Sequence, residues 1–208
     1  NDPEITHVAV YCWERDYAQE EGQWIGSNTR IKKLKINSFN YEFIEEPELL
    51  LLGQDEDDLQ QEQNFVAFCR GIACNRSIQS LTLYQCYLNN SAILAAMATF
   101  LEQNNDLKHI RLDESQLSDE STRVLAAALS RRVKKSSIIA IEFEYNGFGC
   151  LPEVRGELVS ALGGYHNLRK LSLWQYEIGI NGCNALENLL QDPKCKLKKL
   201  SLPWNNIG

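Results

Sequence analysis

Apolar residues recur along the chain in one short pattern: apolar, two residues, apolar, one residue, apolar. The pattern begins seven times, at residues 5, 31, 78, 107, 138, 168 and 197. The intervals between successive starts are 26, 47, 29, 31, 30 and 29 residues, so one unit repeats along the chain. Alternation of apolar and polar positions is typical of a half-buried β-strand, so the pattern predicts seven strands.

Apolar and small residues at helical spacing follow each predicted strand, as at Ile93, Leu94, Met97 and Phe100. A strand and a helix that repeat without other elements predict a solenoid, with parallel strands on its concave side and helices on its convex side. Because strand-to-strand crossovers in parallel sheets are right-handed, we expect a right-handed solenoid.

Two kinds of residue mark the predicted helix ends. Ser118 stands before the fourth helical segment and is predicted to cap its amino terminus. Asn and Gly follow several of the helical segments, and we expect them to end the helices in the left-handed conformation. These residues are Gly26, Asn28, Asn75, Asn104, Asn105, Gly163 and Gly164.

This repeat resembles the leucine-rich repeats, in the long strand-plus-helix form of ribonuclease-inhibitor-like proteins. The resemblance covers residues 5–208. It implies an α/β solenoid, with an Asn or Cys three positions after the third apolar residue that ties down the turn. Cys86, Asn146 and Asn205 match that position. Trp13, Phe39 and Tyr176 depart from it, and we expect irregular turns there.

The whole chain, residues 1–208, is predicted to form one leucine-rich repeat domain of about seven units, which is a common size for one domain. The last unit ends before its helix, and we interpret the sequence as part of a longer protein. An acidic insert at about residues 41–63 explains the single long interval. Residues 36–69 hold nine acidic residues and no Lys or Arg. The insert is interpreted as a solvated loop, expected to be most mobile at 42–62. A docking arm for a basic partner and a cation site are the alternatives.

Alternation along each strand directs the third, fifth and seventh motif positions to the concave face. The third-position residues are His7, Lys33, Ser80, His109, Ala140, Lys170 and Lys199. The fifth-position residues are Ala9, Lys35, Thr82, Arg111, Glu142, Ser172 and Ser201. The seventh-position residues are Tyr11, Asn37, Tyr84, Asp113, Glu144, Trp174 and Pro203.

Four consecutive seventh-position residues form the predicted centre of a protein-binding surface: Tyr84, Asp113, Glu144 and Trp174. The predicted partner-binding set also includes two fifth-position residues, Arg111 and Glu142, which we expect to pair with each other. Asp113 and Glu144 are then uncompensated neighbours that favour a Lys or Arg of the partner. The aromatic side chains are typical anchors of an interface, and Tyr145, Tyr176 and Trp204 near the strand ends are further candidates.

No catalytic motif, cofactor motif or metal-ligand motif appears, and a shallow sheet offers no pocket, so we expect no enzymatic activity. The net charge of −7 argues against nucleic acid as a partner, and no apolar run is long enough to span a membrane. The seven irregularly spaced cysteines are expected to be free thiols in an intracellular, cytoplasmic protein.

The repeat therefore predicts an interaction scaffold or recognition module that binds another protein on its concave face. One alternative is a GTPase activator, because the Ran GTPase-activating proteins are built from similar repeats; none of that family's functional residues matches a position here. A ligand-binding or cation-binding module that uses the acidic insert is the other alternative.

Overall fold

A computed structural model describes residues 5–11, 17–37, 56–86, 88–115, 117–132, 137–146 and 151–205. Strands and helices alternate along this part of the chain. The strands are β1 His7–Tyr11, β2 Lys33–Asn37, β3 Ser80–Tyr84, β4 His109–Asp113, β5 Ala140–Glu144, β6 Lys170–Ser172 and β7 Lys199–Ser201. The helices are α1 Ala18–Ser27, α2 Glu56–Ile72, α3 Ser91–Gln103, α4 Asp119–Arg132, α5 Pro152–Ser160 and α6 Gly179–Gln191.

The seven strands form one parallel sheet in the order of the chain, which confirms the predicted solenoid. The register pairs residues at the same motif position, so that Leu34 lies beside Leu81 and Leu81 beside Ile110. Within the described residues, the backbone of each helix lies close only to the helices next to it in sequence, and that of each strand only to the neighbouring strands. Each unit is therefore packed between its two neighbours, as in other solenoids.

The core lies between the sheet and the helices, and the first, fourth and sixth motif positions build its sheet side. Ile110, Leu112, Leu171 and Leu173 are buried, as predicted. Phe143 contributes the largest side chain at these positions and is 1% exposed. The register of the repeat thus assigns the inward and outward sides of every central strand.

The turns after the strands are joined by a ladder of buried side chains. The Oδ1 atom of Asn146 accepts the backbone N–H of Ser115, and its Nδ2 atom donates to the carbonyls of Leu112 and Glu144. Asn205 makes the equivalent contact in the last unit, where its Oδ1 atom accepts the backbone N–H of Tyr176 from the unit before. Tyr176 is fully buried, and the residues on either side of it both have positive φ, so its turn is irregular as predicted. Trp13 and Phe39 lie outside the described residues.

Ser118 caps α4 as predicted, because its Oγ atom accepts the N–H of Ser121. The expected left-handed helix ends are wrong: Asn28 and Asn104 have φ of −78° and −83°. Their side-chain oxygens instead accept backbone N–H groups two or three residues later and so form the turn. Asn28 Oδ1 accepts the N–H groups of Arg30 and Ile31, a pattern that short amide side chains favour.

Helix α2 begins inside the acidic segment, where a loop was expected. Glu56 is its first residue, so residues 56–63 of the segment are helical, while residues 41–55 lie outside the described residues. Phe65, Phe68, Cys69 and Ile72 are buried at helical spacing and fasten α2 to the core.

Five cysteines within the described residues are free thiols: Cys69, Cys74, Cys86, Cys183 and Cys195. Cys12 and Cys150 lie outside those residues. No helix in the described part of the chain is both long enough and apolar enough to cross a membrane.

Candidate functional site

The sheet register places Tyr84, Asp113 and Glu144 on consecutive strands as direct neighbours, and Trp174 follows on the next unit, where its carbonyl accepts the N–H of Tyr145. We call Tyr84, Asp113, Glu144 and Trp174 the seventh-position row. At the usual strand spacing this row is about 15 Å long. The repeat pattern thus brought together the four side chains that the sequence placed at the centre of the surface.

Arg111 does not pair with Glu142, and this expectation is wrong. Its Nη2 atom lies 2.7 Å from Asp113 Oδ2 and 3.0 Å from Glu144 Oε2. Glu142 instead lies 2.7 Å from Nζ of Lys170 on the next strand. One guanidinium can bridge two carboxylates, and this arrangement also separates two like charges that would otherwise repel each other. Asp113 and Glu144 are therefore compensated in part, not uncompensated as expected.

Arg111 is held in its charged form by these contacts. Desolvation lowers the pKa of its guanidinium, but the hydrogen bond to Asp113 and the charges of Asp113, Glu144 and Glu142 together raise the pKa above its ordinary value. The Arg111 side chain is still 43% exposed, whereas those of Asp113 and Glu144 are 10% and 12% exposed. A partner that approaches the row therefore meets Arg111 first.

Acceptors still outnumber donors beside this guanidinium. Glu144 is satisfied, because its Oε1 atom also accepts from Ser172 Oγ at 3.0 Å. Asp113 Oδ1 and Gln85 Oε1 are buried, and no described residue donates a hydrogen bond to either. Glu114 adds a third carboxylate, 2.7 Å from Gln85 Nε2. Buried acceptors without donors raise the free energy of the unbound surface, so the row favours ligands that bring donors.

Tyr84 and Trp174 are both partly covered by neighbours. The ammonium of Lys35 lies 5.7 Å from the Tyr84 ring centroid. Desolvation, followed by the charges of Glu114 and Asp113 and a hydrogen bond to Glu114, raises the pKa of the Tyr84 hydroxyl. The Trp174 ring lies 5.0 Å from that of Tyr145 at an angle of 37°. Such a tilted pair fixes both rings in place and leaves a rigid apolar surface at one end of the row.

The other aromatic candidates have different fates. Trp204 is 75% exposed, whereas Tyr176 is fully buried against Phe143 at a ring separation of 6.2 Å and cannot contact a partner.

Five residues directly after the seventh position share a positive φ of 51–60°, which sequence reasoning missed. They are Gln85, Glu114, Tyr145, Gln175 and Trp204. The only sequence signal for this left-handed conformation is that all five residues occupy the same position, directly after the strand motif.

Within the described residues, no three His, Cys, Asp or Glu side chains are arranged to share a metal ion. A polar groove of about 520 Å³ lies on the convex side, between α4, α5 and α6. It is lined by Gly156 and Ser160 on one side and by Asn181, Asn184 and Asn188 on the other. Ser130, Glu153 and Glu157 also line it, but no His or Cys does, so the groove holds no Ser–His or Cys–His pair.

Comparison with known proteins gives relatives at modest identity. The chain is 33% identical over 130 residues to "NACHT, LRR and PYD domains-containing protein 14" of Homo sapiens, which covers 62% of this chain and 11% of the relative. It is 29% identical over 163 residues to "NACHT, LRR and PYD domains-containing protein 9C" of Mus musculus, covering 77% of this chain and 15% of the relative. No protein-family model matches the chain.

These relatives carry the repeat in their names, and the seven parallel units of the structure are that repeat. The chain is a leucine-rich repeat protein. This leucine-rich repeat chain spans between 11 and 15% of the length of the relatives described. Repeats of this kind serve as protein-interaction or recognition modules, and the exposed concave side chains of this chain fit that general role.

Proposed function

We propose that this leucine-rich repeat chain is a recognition module that binds another protein at the seventh-position row. The surplus of hydrogen-bond acceptors around Arg111, beside the fixed ring pair of Trp174 and Tyr145, carries the proposal. A Lys or Arg of the partner would pair with the carboxylate of Glu114, and rotation of the Asp113 and Gln85 side chains on binding would bring their buried oxygens to the same donor. An apolar side chain beside it would cover the Trp174 ring, because desolvated aromatic anchors contribute much of the affinity of protein interfaces.

The role we propose is binding without catalysis, in an intracellular setting. Two features of the described surface support the absence of catalysis: the row holds no His or Cys, and both of its carboxylates are paired with Arg111. Neither of these features favours a GTPase activator or a cation-binding module over a protein-binding surface.

The test compares Trp174→Ala with a matched control, Trp24→Ala. Trp24 is 45% exposed on α1, away from the sheet, so both changes remove one indole from the chain. Parent and variants are immobilised, incubated with lysate from cells that produce the protein, and the retained proteins are quantified by mass spectrometry. We expect at least one protein to be retained by the parent and by Trp24→Ala, but lost with Trp174→Ala.

The affinity of that protein is then measured against Trp174→Ala and Glu144→Gln. We expect Trp174→Ala to weaken binding by about 1–3 kcal/mol, mainly through faster dissociation. Glu144→Gln should slow association and reduce its dependence on salt, since it removes an attractive charge. If every protein retained by the parent is retained equally by Trp174→Ala, the binding surface lies elsewhere and the proposal is wrong.

A further inference from the structure

Charge is distributed unequally along the strands of the sheet. The second and third motif positions of the seven units hold seven cations and no acidic residue. These cations are Lys32, Lys33, Lys108, Arg169, Lys170, Lys198 and Lys199. The seventh and eighth positions hold three acidic residues, Asp113, Glu114 and Glu144, and no cation. The amino-terminal ends of the parallel strands are therefore basic and their carboxyl-terminal ends acidic, about 13 Å apart at the usual rise per residue.

The cations are densest at β6 and β7. Register places Lys170 directly beside Lys199, and the N–H of Lys198 donates to the carbonyl of Arg169, so these four side chains lie on two neighbouring strands. Lys196 precedes them and donates to Asn167 at 3.4 Å. We call Arg169, Lys170, Lys196, Lys198 and Lys199 the basic patch. All except Lys170 are exposed.

Few acidic groups neutralise this basic patch. Lys170 pairs with Glu142, and the remaining four cations form no ion pair with any described residue. Asp192, the nearest acidic residue in sequence, lies 3.5 Å from His166 and accepts the backbone N–H of Lys194. Like charges on adjacent strands repel each other, so the patch is an electrostatic cost that an anionic ligand would relieve.

His109 lies two strands from Lys170, in the same third-position row. Partial desolvation lowers the pKa of its imidazole; Glu142 opposes the shift, while the nearby charges of Lys108, Lys33 and Lys170 lower the pKa further. The cations that act on His109 therefore come from β2, from the residue before β4 and from β6. An anion bound over these strands would raise the pKa of His109, which makes this side chain a reporter of occupancy.

We infer that the basic patch is a second contact surface, and that it binds an acidic polypeptide segment lying across the amino-terminal ends of β6 and β7. A polypeptide fits better than a nucleic acid or an anionic membrane, because the sheet presents both signs of charge. A phosphate backbone or a lipid surface is negative throughout, and it would be repelled by the carboxylates of the seventh-position row about 13 Å away.

The first experiment measures binding of a fluorescent 16-residue peptide of alternating Glu and Ser by anisotropy at low salt. The patch variant is Lys196→Gln/Lys198→Gln, and its matched control is Arg123→Gln/Arg131→Gln. Arg123 and Arg131 are exposed on α4, and both double variants remove two positive charges. We expect the patch variant to weaken peptide binding at least tenfold and the control less than twofold. Equal weakening by both variants, or no binding to the parent, would overturn the inference.

The same assay distinguishes other anions. A single-stranded oligonucleotide of the same charge, or phosphatidylserine vesicles, should bind no more tightly than the peptide. Tenfold tighter binding of either would assign the patch to nucleic acid or membrane and would overturn the inference. Peptide binding should also raise the pKa of His109 in the parent and not in the patch variant. An NMR titration of the His109 imidazole measures this pKa. Trp174→Ala should retain the peptide, so failure of this inference is separate from failure of the seventh-position row.

Discussion

At the residue scale, the turns depend on a few buried polar side chains, and in the described turns the residue after the seventh position has a left-handed backbone. Asn146 and Asn205 each accept the N–H of the residue one unit earlier and donate to two carbonyls. The residue just before each of them, Tyr145 or Trp204, has φ of 57° or 60°. Left-handed backbone costs a non-glycine residue about 1–2 kcal/mol, so hydrogen bonds of this ladder must stabilise the turn.

Replacing Asn146 with Ala should lower the free energy of unfolding by about 2–4 kcal/mol. Asn146 is fully buried, and its loss leaves the N–H of Ser115 and the carbonyls of Leu112 and Glu144 without their partner. Each buried backbone group left unsatisfied costs about 1–3 kcal/mol. Urea denaturation followed by circular dichroism measures the change. Asn105→Ala, at an exposed position, should shift stability by less than about 0.5 kcal/mol; equal effects would contradict the ladder.

Periodicity was sufficient to predict the strands, their parallel register and the identity of the seventh-position row, because side chains alternate regularly along a strand. It could not predict which carboxylate Arg111 would choose. A long guanidinium side chain reaches several neighbours, and here two carboxylates two residues away along the strands outcompete the fifth-position Glu142. Left-handed backbone was expected at the Asn and Gly residues that follow helices. In the described residues it occurs at Gly179 and at Gln, Glu, Tyr and Trp residues that follow strands, where tertiary hydrogen bonds override residue preference.

At the element scale, neighbouring helices are joined by contacts that composition does not reveal. The Arg132 guanidinium, buried at the end of α4, donates to the carbonyls of Leu101, Asn104 and Leu107 around the end of α3. Burial lowers the pKa of Arg132, with the charge of Tyr165 opposing the shift. The basic sequence at residues 131–135 therefore includes a cation that satisfies a helix end, where free carbonyls require donors.

Two adjacent arginines allow a direct test of this helix junction. Arg132→Met should cost about 2–4 kcal/mol, since it leaves buried carbonyls of α3 and the following loop without donors. Arg131→Met removes only an ion pair with Glu102. The Arg131 side chain is 60% exposed, so the loss should be less than about 1 kcal/mol. Chemical denaturation of both variants gives the comparison. A loss from Arg132→Met that is no larger than the loss from Arg131→Met would contradict this role of the buried guanidinium.

Helices α1 and α2 approach closely through glycine, which gives a second test at this scale. A Cβ atom at Gly71 would lie 2.6 Å from the backbone N of Gln23 and 2.7 Å from Cα of Gly22. Gly71→Ala gains up to about 1 kcal/mol of helix propensity but forces two backbones apart, so we expect a net loss of about 1–3 kcal/mol. In Gly163→Ala the new Cβ meets only the Ser160 carbonyl, at 3.3 Å. Thermal unfolding should show a clear decrease for Gly71→Ala and little change for this control.

At the scale of the whole molecule, stability follows from position in the stack. Units in the middle are covered on both sides, whereas β7 pairs only with β6 within the described residues. Leu171 is fully buried, while Leu200, its partner in the register, is 37% exposed. The same motif position thus removes different amounts of apolar surface from water, and the sequence pattern alone makes the two leucines look equivalent.

Leu171→Ala should therefore cost about 2–5 kcal/mol, and Leu200→Ala about 1 kcal/mol or less. A cavity inside a packed stack cannot collapse, because the strands and helices on both sides hold their spacing, so the loss of transfer energy is joined by a cavity term. At Leu200 water already reaches the side chain, and its removal opens no enclosed void. Both variants remove the same atoms from neighbouring strands, so differences in the unfolded chain cancel. Urea denaturation of the 208-residue chain measures the two values, and a difference below about 1 kcal/mol would mean that the last unit is as well covered as the one before it.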